Sequence, residues 1–192
     1  MKIGLFGGSF NPVHIAHYFI AEETLNQFDL DEVLLIPAYK QPFKLKDKIL
    51  ESDKRLELLK ASNSNEAIKI SDYEIKKGSI SYTYETINYY KSKGELFLII
   101  GADSAYYFTE WKKYKQIIDN VNRILVFPRV EYPRNKVLEK WDYGRNKIEF
   151  MDSILMEISS TEIRKRIRKG SPFRYLVPEE VYNIIKQKGY YK

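Results

Sequence analysis

The chain has 192 residues, enough for one domain of ordinary size that buries about 70% of its unfolded surface. It has no cysteine, which excludes disulfides, thiolate metal sites and thiol nucleophiles, and only two histidines, His14 and His17. A 44% hydrophobic and 15% aromatic composition excludes disorder, and the net charge of +6 allows a polyanionic partner. Residues 1–40 set Lys2 and Lys40 against Glu22, Glu23, Asp29, Asp31 and Glu32, so the cationic surplus lies downstream. Its densest cluster is Arg164, Lys165, Arg166, Arg168 and Lys169.

Residues 2–6 alternate into an apolar strand that Gly7-Gly8-Ser9 breaks. Helical spacing follows over 14–27, with Phe19, Ile20, Leu25 and Phe28 as core candidates. Residues 32–36 read as a second strand stopped by Pro37, and 40–48 as a basic loop. Residues 53–62 form an amphipathic helix, and 67–75 have strand character. A helix over 82–93 closes at Gly94; a buried-type strand over 95–100 ends at Gly101. Residues 103–118 read as helix with a break near Thr109, 122–127 as a strand stopped by Pro128, and 132–145 as polar without a clear signal. Strand material lies in 147–158, and the last helices are 160–169 and 178–188. Strands alternating with helices predict an α/β fold, a parallel sheet with helices on both faces. There is no internal repeat or linker, so residues 1–192 are expected to form a single domain, with the C-terminal helices (about 159–189) packed on it. No run approaches the ~18–20 apolar residues of a membrane span and the first residues lack a signal peptide's apolar block, so a cytoplasmic location is expected.

Ligands in such sheets sit beyond the carboxyl ends of the strands. The first such turn is Gly7-Gly8-Ser9-Phe10-Asn11-Pro12-Val13-His14-Ile15-Ala16-His17. Two glycines allow close backbone approach, and a helix start near His14 offers free N–H groups. His14 and His17 are three apart and share one helical face, a geometry suited to phosphate. Two surface histidines are the plainer reading. Gly-Lys-Ser/Thr is missing, as is G-x-G-x-x-G, so neither standard nucleotide loop is present. Zinc would need two carboxylates besides the histidines, a poor donor set, and no metal ligand is assigned. The second candidate is Ile158-Ser159-Ser160-Thr161-Glu162-Ile163-Arg164. Ser159 with Glu162 is a capping-box pattern. It is a plain N-cap, or an anion site in which the hydroxyls and Arg164 take part.

With these two segments the chain resembles the nucleotidyltransferase superfamily marked by a G-x-F-x-P-x-H-x-G-H turn and an I-S-S-T-x-I-R segment. It is similar, more narrowly, to the bacterial nicotinate-mononucleotide adenylyltransferases. Ser81-Tyr82-Thr83-Tyr84, Ile100-Gly101-Ala102-Asp103, Trp111-Lys112 and Tyr175-Leu176-Val177-Pro178 match as well, in collinear order. The resemblance implies a Rossmann-like fold and transfer of AMP from ATP to nicotinate mononucleotide. It implies that His14, His17, Lys44 and Arg164 carry the chemistry. Gly8, Ser9, Phe10, Asp103, Ser159, Ser160 and Thr161 would join His14, His17 and Arg164 in binding ATP. Tyr82, Thr83 and Trp111 would hold the pyridine nucleotide, with the indole stacked on its ring. Mg²⁺ would enter with ATP. Departures from the pattern are Ala16 for glycine, Asn11 for aspartate, Phe43 for histidine, and the order Phe127-Pro128-Arg129, which leaves Arg129 without an assigned role. Nicotinamide mononucleotide and phosphopantetheine are the rival acceptors. A basic nucleic-acid-binding module is the reading from a different class, motivated by the downstream charge and sixteen tyrosines; no nucleic-acid motif accompanies it. A homo-oligomer is compatible with the sequence.

Overall fold

The computed structural model describes residues 1–42, 49–63 and 65–192. Six strands form one parallel sheet in the order β3-β2-β1-β4-β5-β6. They are β1 (Lys2–Gly8), β2 (Glu32–Pro37), β3 (Ile68–Ile70), β4 (Glu95–Gly101), β5 (Arg123–Phe127) and β6 (Ile148–Phe150). Leu5 of β1 pairs in register with Leu34 on one side and Leu98 on the other. The order reverses between β1 and β4, which opens a crevice at their carboxyl ends.

The two-residue period of the strands builds two cores. Phe6, Val33, Leu35, Phe97, Ile99, Leu125 and Phe127 point to one face. That face is covered by α1 (Ile15–Gln27), α2 (Ser52–Ser62), α8 (Ser160–Arg168) and α9 (Glu179–Lys188), through Ile20, Leu58, Ile163, Val181 and Ile185. Ile3, Leu5, Leu34, Ile36, Leu98, Ile100, Ile124 and Val126 point to the other. Against them pack α4 (Thr83–Tyr90), α5 (Ala102–Tyr106), α6 (Tyr114–Asp119) and α7 (Arg134–Leu138), through Ile87, Ala105, Ile117 and Val137. Of the α1 core candidates, Ile20 is buried, and Phe19, Leu25 and Phe28 are half-buried against the first core.

Some elements differ from the sequence reading, and one expected break is present. Strand pairing in 67–75 stops at Ile70, and α3 (Tyr73–Lys77) follows, closed by Gly78 in the left-handed region at φ 66°. The break expected near Thr109 within 103–118 is present: α5 stops at Tyr106, a 3₁₀ turn spans Phe108–Glu110, and α6 restarts after Lys113 at φ 58°. The polar stretch 132–145 contains α7. Only Ile148–Phe150 of 147–158 is strand; Lys147 ends a 3₁₀ turn, and 151–158 runs irregularly towards α8. Among the described residues no helix is long and apolar enough to cross a membrane.

Candidate active site

The loop after β1 is held from inside. Phe10 has φ 43°, an uncommon conformation for a bulky side chain. Its ring is 1% exposed and packs edge-on to Phe6 at 5.9 Å and to the His17 ring at 4.8 Å. A Cβ on Gly8 would stand 3.2 Å from the same ring. Phe10 is therefore an anchor beneath the loop, and its side chain does not line the site as expected for an ATP-binding residue.

His14 caps α1 in an extended conformation, and His17 is the third residue of the helix. The imidazoles stack at 3.6 Å between centroids. The His14 backbone N–H donates to His17 Nδ1 at 3.1 Å. An accepting Nδ1 places the His17 proton on Nε2, which is left to donate to a ligand. Burial, reinforced by the Arg129 charge, lowers the His14 pKa to about 3. Burial, then the charges of His14 and Arg129, holds His17 well below its ordinary value. Both rings are thus neutral near pH 7 and offer N–H groups rather than cationic charge. Ala16 is fully buried, so its extra methyl lies in the core and not in the path of a phosphate. Asn11 Oδ1 accepts the Leu50 N–H at 3.1 Å, a bond aspartate would also make.

The second phosphate segment meets this loop. Ser159 caps α8 by accepting the Glu162 N–H at 3.2 Å. Ser160 Oγ donates to the Pro12 carbonyl at 2.8 Å. The Arg164 guanidinium donates to the Asn11 carbonyl at 2.8 Å and to Thr161 Oγ1 at 3.2 Å. The N–H end of α8 and the histidine turn thus meet in one donor-rich corner.

Arg55 was not anticipated. It lies on α2 with 1% exposure and donates to the carbonyls of Leu50 (2.9 Å), Ser9 (2.6 Å), Ala38 (2.6 Å) and Tyr39 (3.3 Å). One guanidinium thereby ties the loop after β1 to the loop after β2. Burial opposes its charge, and the four carbonyls compensate. Its spacing from Leu58 and Leu59 on the apolar stripe of α2 was the available signal.

Beside the corner lies a cleft of about 710 Å³ at the switch point. Gly8, Tyr82, Thr83, Asp103 and Trp111 all line it. A Cβ on Gly101 would collide with Asp103 Oδ1 at 2.3 Å, so glycine is what lets this carboxylate fold over the end of β4. Half-buried Trp111 packs on Phe108 at 5.1 Å, and Phe108 stacks on Trp141 at 4.8 Å. Trp141 is fixed by a 2.8 Å bond from Nε1 to the Ala105 carbonyl. Buried Glu74 also borders the cleft; its carboxylate accepts from Thr86 Oγ1 at 2.5 Å, and burial raises its pKa. Lys44 lies outside the described residues, as does Phe43. Among the described residues no group of three or more His, Asp or Glu side chains is placed to hold a metal ion.

A donor-rich corner beside an aromatic-lined cleft on a 3-2-1-4-5-6 sheet suits a nucleotide-handling enzyme. A family model described as cytidylyltransferase-like matches residues 5–166. A relative from Clostridium acetobutylicum, a probable nicotinate-nucleotide adenylyltransferase, is 38% identical over 99% of this chain and 98% of its own. One of the same name from Clostridium tetani is 36% identical over 100% of this chain and 99% of its own. The Plasmodium falciparum nicotinic acid mononucleotide adenylyltransferase complexed with NaAD superposes with a TM-score of 0.80 at 17% identity, over 99% of this chain and 97% of that one. The chain belongs to the cytidylyltransferase-like family, among its nicotinate-nucleotide adenylyltransferases.

Proposed function

We propose that the protein transfers AMP from ATP to nicotinate mononucleotide, giving nicotinate adenine dinucleotide and pyrophosphate. The observation that carries this reading is the joining of the two phosphate segments, Ser160 to Pro12 and Arg164 to Asn11, beside an aromatic cleft. The 5′-phosphate oxygen of the pyridine nucleotide attacks the α-phosphorus of ATP in line. The bond from that phosphorus to the bridging oxygen breaks, and pyrophosphate leaves with the electron pair. No covalent enzyme intermediate is needed; positioning and charge stabilisation carry the rate.

His17 Nε2–H donates to the reacting phosphates, and stacked His14 fixes its ring. The N–H end of α8, Ser159 and Thr161 receive the triphosphate. Arg164 and Lys44 bring positive charge to it. The Ser160 hydroxyl, already donating to Pro12, acts by locking the corner shut. Thr83 and Trp111 hold the pyridine nucleotide, and Asp103 faces the ribose. ATP would enter as its magnesium complex; among the described residues no group of three or more His, Asp or Glu side chains is placed to hold the ion, which would keep several waters. Residues 1–192 act as one nucleotidyltransferase unit in the cytoplasm.

The test is pyrophosphate release from MgATP with nicotinate mononucleotide, nicotinamide mononucleotide and phosphopantetheine in separate reactions. Turnover with the first above the others is the expected result. Release with none of the three overturns the reading, and release with phosphopantetheine alone moves it to another acceptor class.

A further inference from the structure

The turn after β5 holds a cation to which the family pattern assigned no role. Arg129 stands two residues beyond the end of β5, half-buried. Its guanidinium carbon lies 5.0 Å from the centroid of the Phe127 ring. Phe127 packs edge-on to Phe6 at 5.8 Å, and Phe6 lies 5.9 Å from the His17 ring. One arm, Nη1, donates to the Met156 carbonyl at 2.9 Å. Met156 precedes the α8 cap, Ser159, by three residues. Arg129 therefore touches the strand end under the histidines and also the segment that leads into the α8 corner.

Among the described residues Arg129 forms no ion pair, and its charge acts on both imidazoles. The charges acting on the pair are Arg129 from the β5 turn and, for His17, His14 on its own helix. A guanidinium has five N–H donors, and the Met156 bond uses one. A half-buried cation beside two neutral imidazoles, with no carboxylate partner among the described residues, is an arrangement that an incoming polyanion relieves. Planar bidentate donors suit phosphate oxygens.

We propose that Arg129 is a third cationic ligand of the triphosphate, approaching from the β5 side while Arg164 approaches from α8. Its bond to Met156 sets the approach of the segment that enters α8. This assignment rests on the adenylyl-transfer reading for its substrate, and on the geometry alone for its charge.

The test uses Arg129→Gln and Arg129→Lys in the full chain. Only two histidines exist, so proton NMR titration of their Cε1–H signals reads the corner directly. In the free Gln variant both histidines titrate at higher pH than in the wild type; in the Lys variant they stay near the wild-type values. Calorimetric affinity for a non-hydrolysable ATP analogue falls on the order of tenfold or more for Gln and less for Lys. The KM for nicotinate mononucleotide stays within about twofold. Unchanged histidine titration together with unchanged analogue affinity overturns the proposal. Equal loss of affinity in both variants with unchanged titration reduces Arg129 to a strut for Met156, and also overturns it. If the wild type releases no pyrophosphate while titration and affinity shift as expected, the adenylyl-transfer reading fails and the triphosphate ligand stands.

Discussion

Arg55→Met removes a guanidinium and keeps a stem of similar length. The carbonyls of Ser9, Ala38 and Leu50 lose donors at 2.6, 2.6 and 2.9 Å. An unmet buried acceptor costs about 1–3 kcal/mol. These acceptors lie in loops beside a cleft, where water replaces part of the loss, so about 1 kcal/mol each applies. Relief of the buried cation's desolvation offsets part of that sum. The variant is expected to lose about 2–3 kcal/mol of stability, a fall of about 4–12 °C in Tm for a chain of this size. Urea unfolding measures it directly: the midpoint drops and the slope stays constant. The same loss loosens Ser9, within the loop after β1, so the KM for ATP rises at temperatures where the variant is folded. Arg55→Lys recovers little, because one ammonium cannot reach three separated carbonyls. An unchanged urea midpoint refutes the clamp. A lowered midpoint with an unchanged KM for ATP refutes its connection to the site.

His17→Ala should lower kcat by on the order of 10²-fold as a preorganised donor is lost, and His17→Gln, whose amide N–H can stand in for Nε2–H, should retain more activity than His17→Asn; single-turnover rates give the order. Trp111→Ala should raise the KM for the pyridine nucleotide by about 2- to 10-fold through lost stacking; a rise confined to the KM for ATP would place the two substrates the other way round. Folded His14 has a depressed pKa, so between about pH 6.5 and 3 the unfolded chain binds the extra proton. Stability is therefore complete above pH 6.5 and is lost on acidification, by about 2 kcal/mol from His14 at pH 5. Urea midpoints at pH 7 and pH 5 measure the difference, and His14→Asn should reduce it, with the share from buried His17 remaining.

The sheet was legible because its strands are short apolar runs stopped by glycine or proline, as at Pro37, Gly101 and Pro128. The histidine turn and the α8 cap were legible because both use local chemistry: helix starts, hydroxyls and a capping pair. The pairing limits of β3 and β6 were not, because edge strands end where the neighbour ends, which is a tertiary fact. The break near Thr109 was legible but its extent was not, since 103–118 carries no proline or glycine. The chain turns there with Lys113 in the left-handed region, and Trp111 packs against Phe108 just before it. Arg55 escaped because an arginine on an amphipathic helix reads as solvated until four carbonyls are found around it. The histidines were located correctly, but their neutrality depends on burial and on Arg129, neither visible in H-x-x-H.

The bonds that close the phosphate corner span 148 and 153 residues of chain. Contacts of that separation are slow to form and the first to be missing from a partial chain. A polypeptide ending at Phe150 holds every strand of the sheet, yet lacks the helix start that faces the histidines. A chain cut there loses both bonds at once, together with the α8 and α9 side chains, Ile163, Val181 and Ile185, that cover the first core.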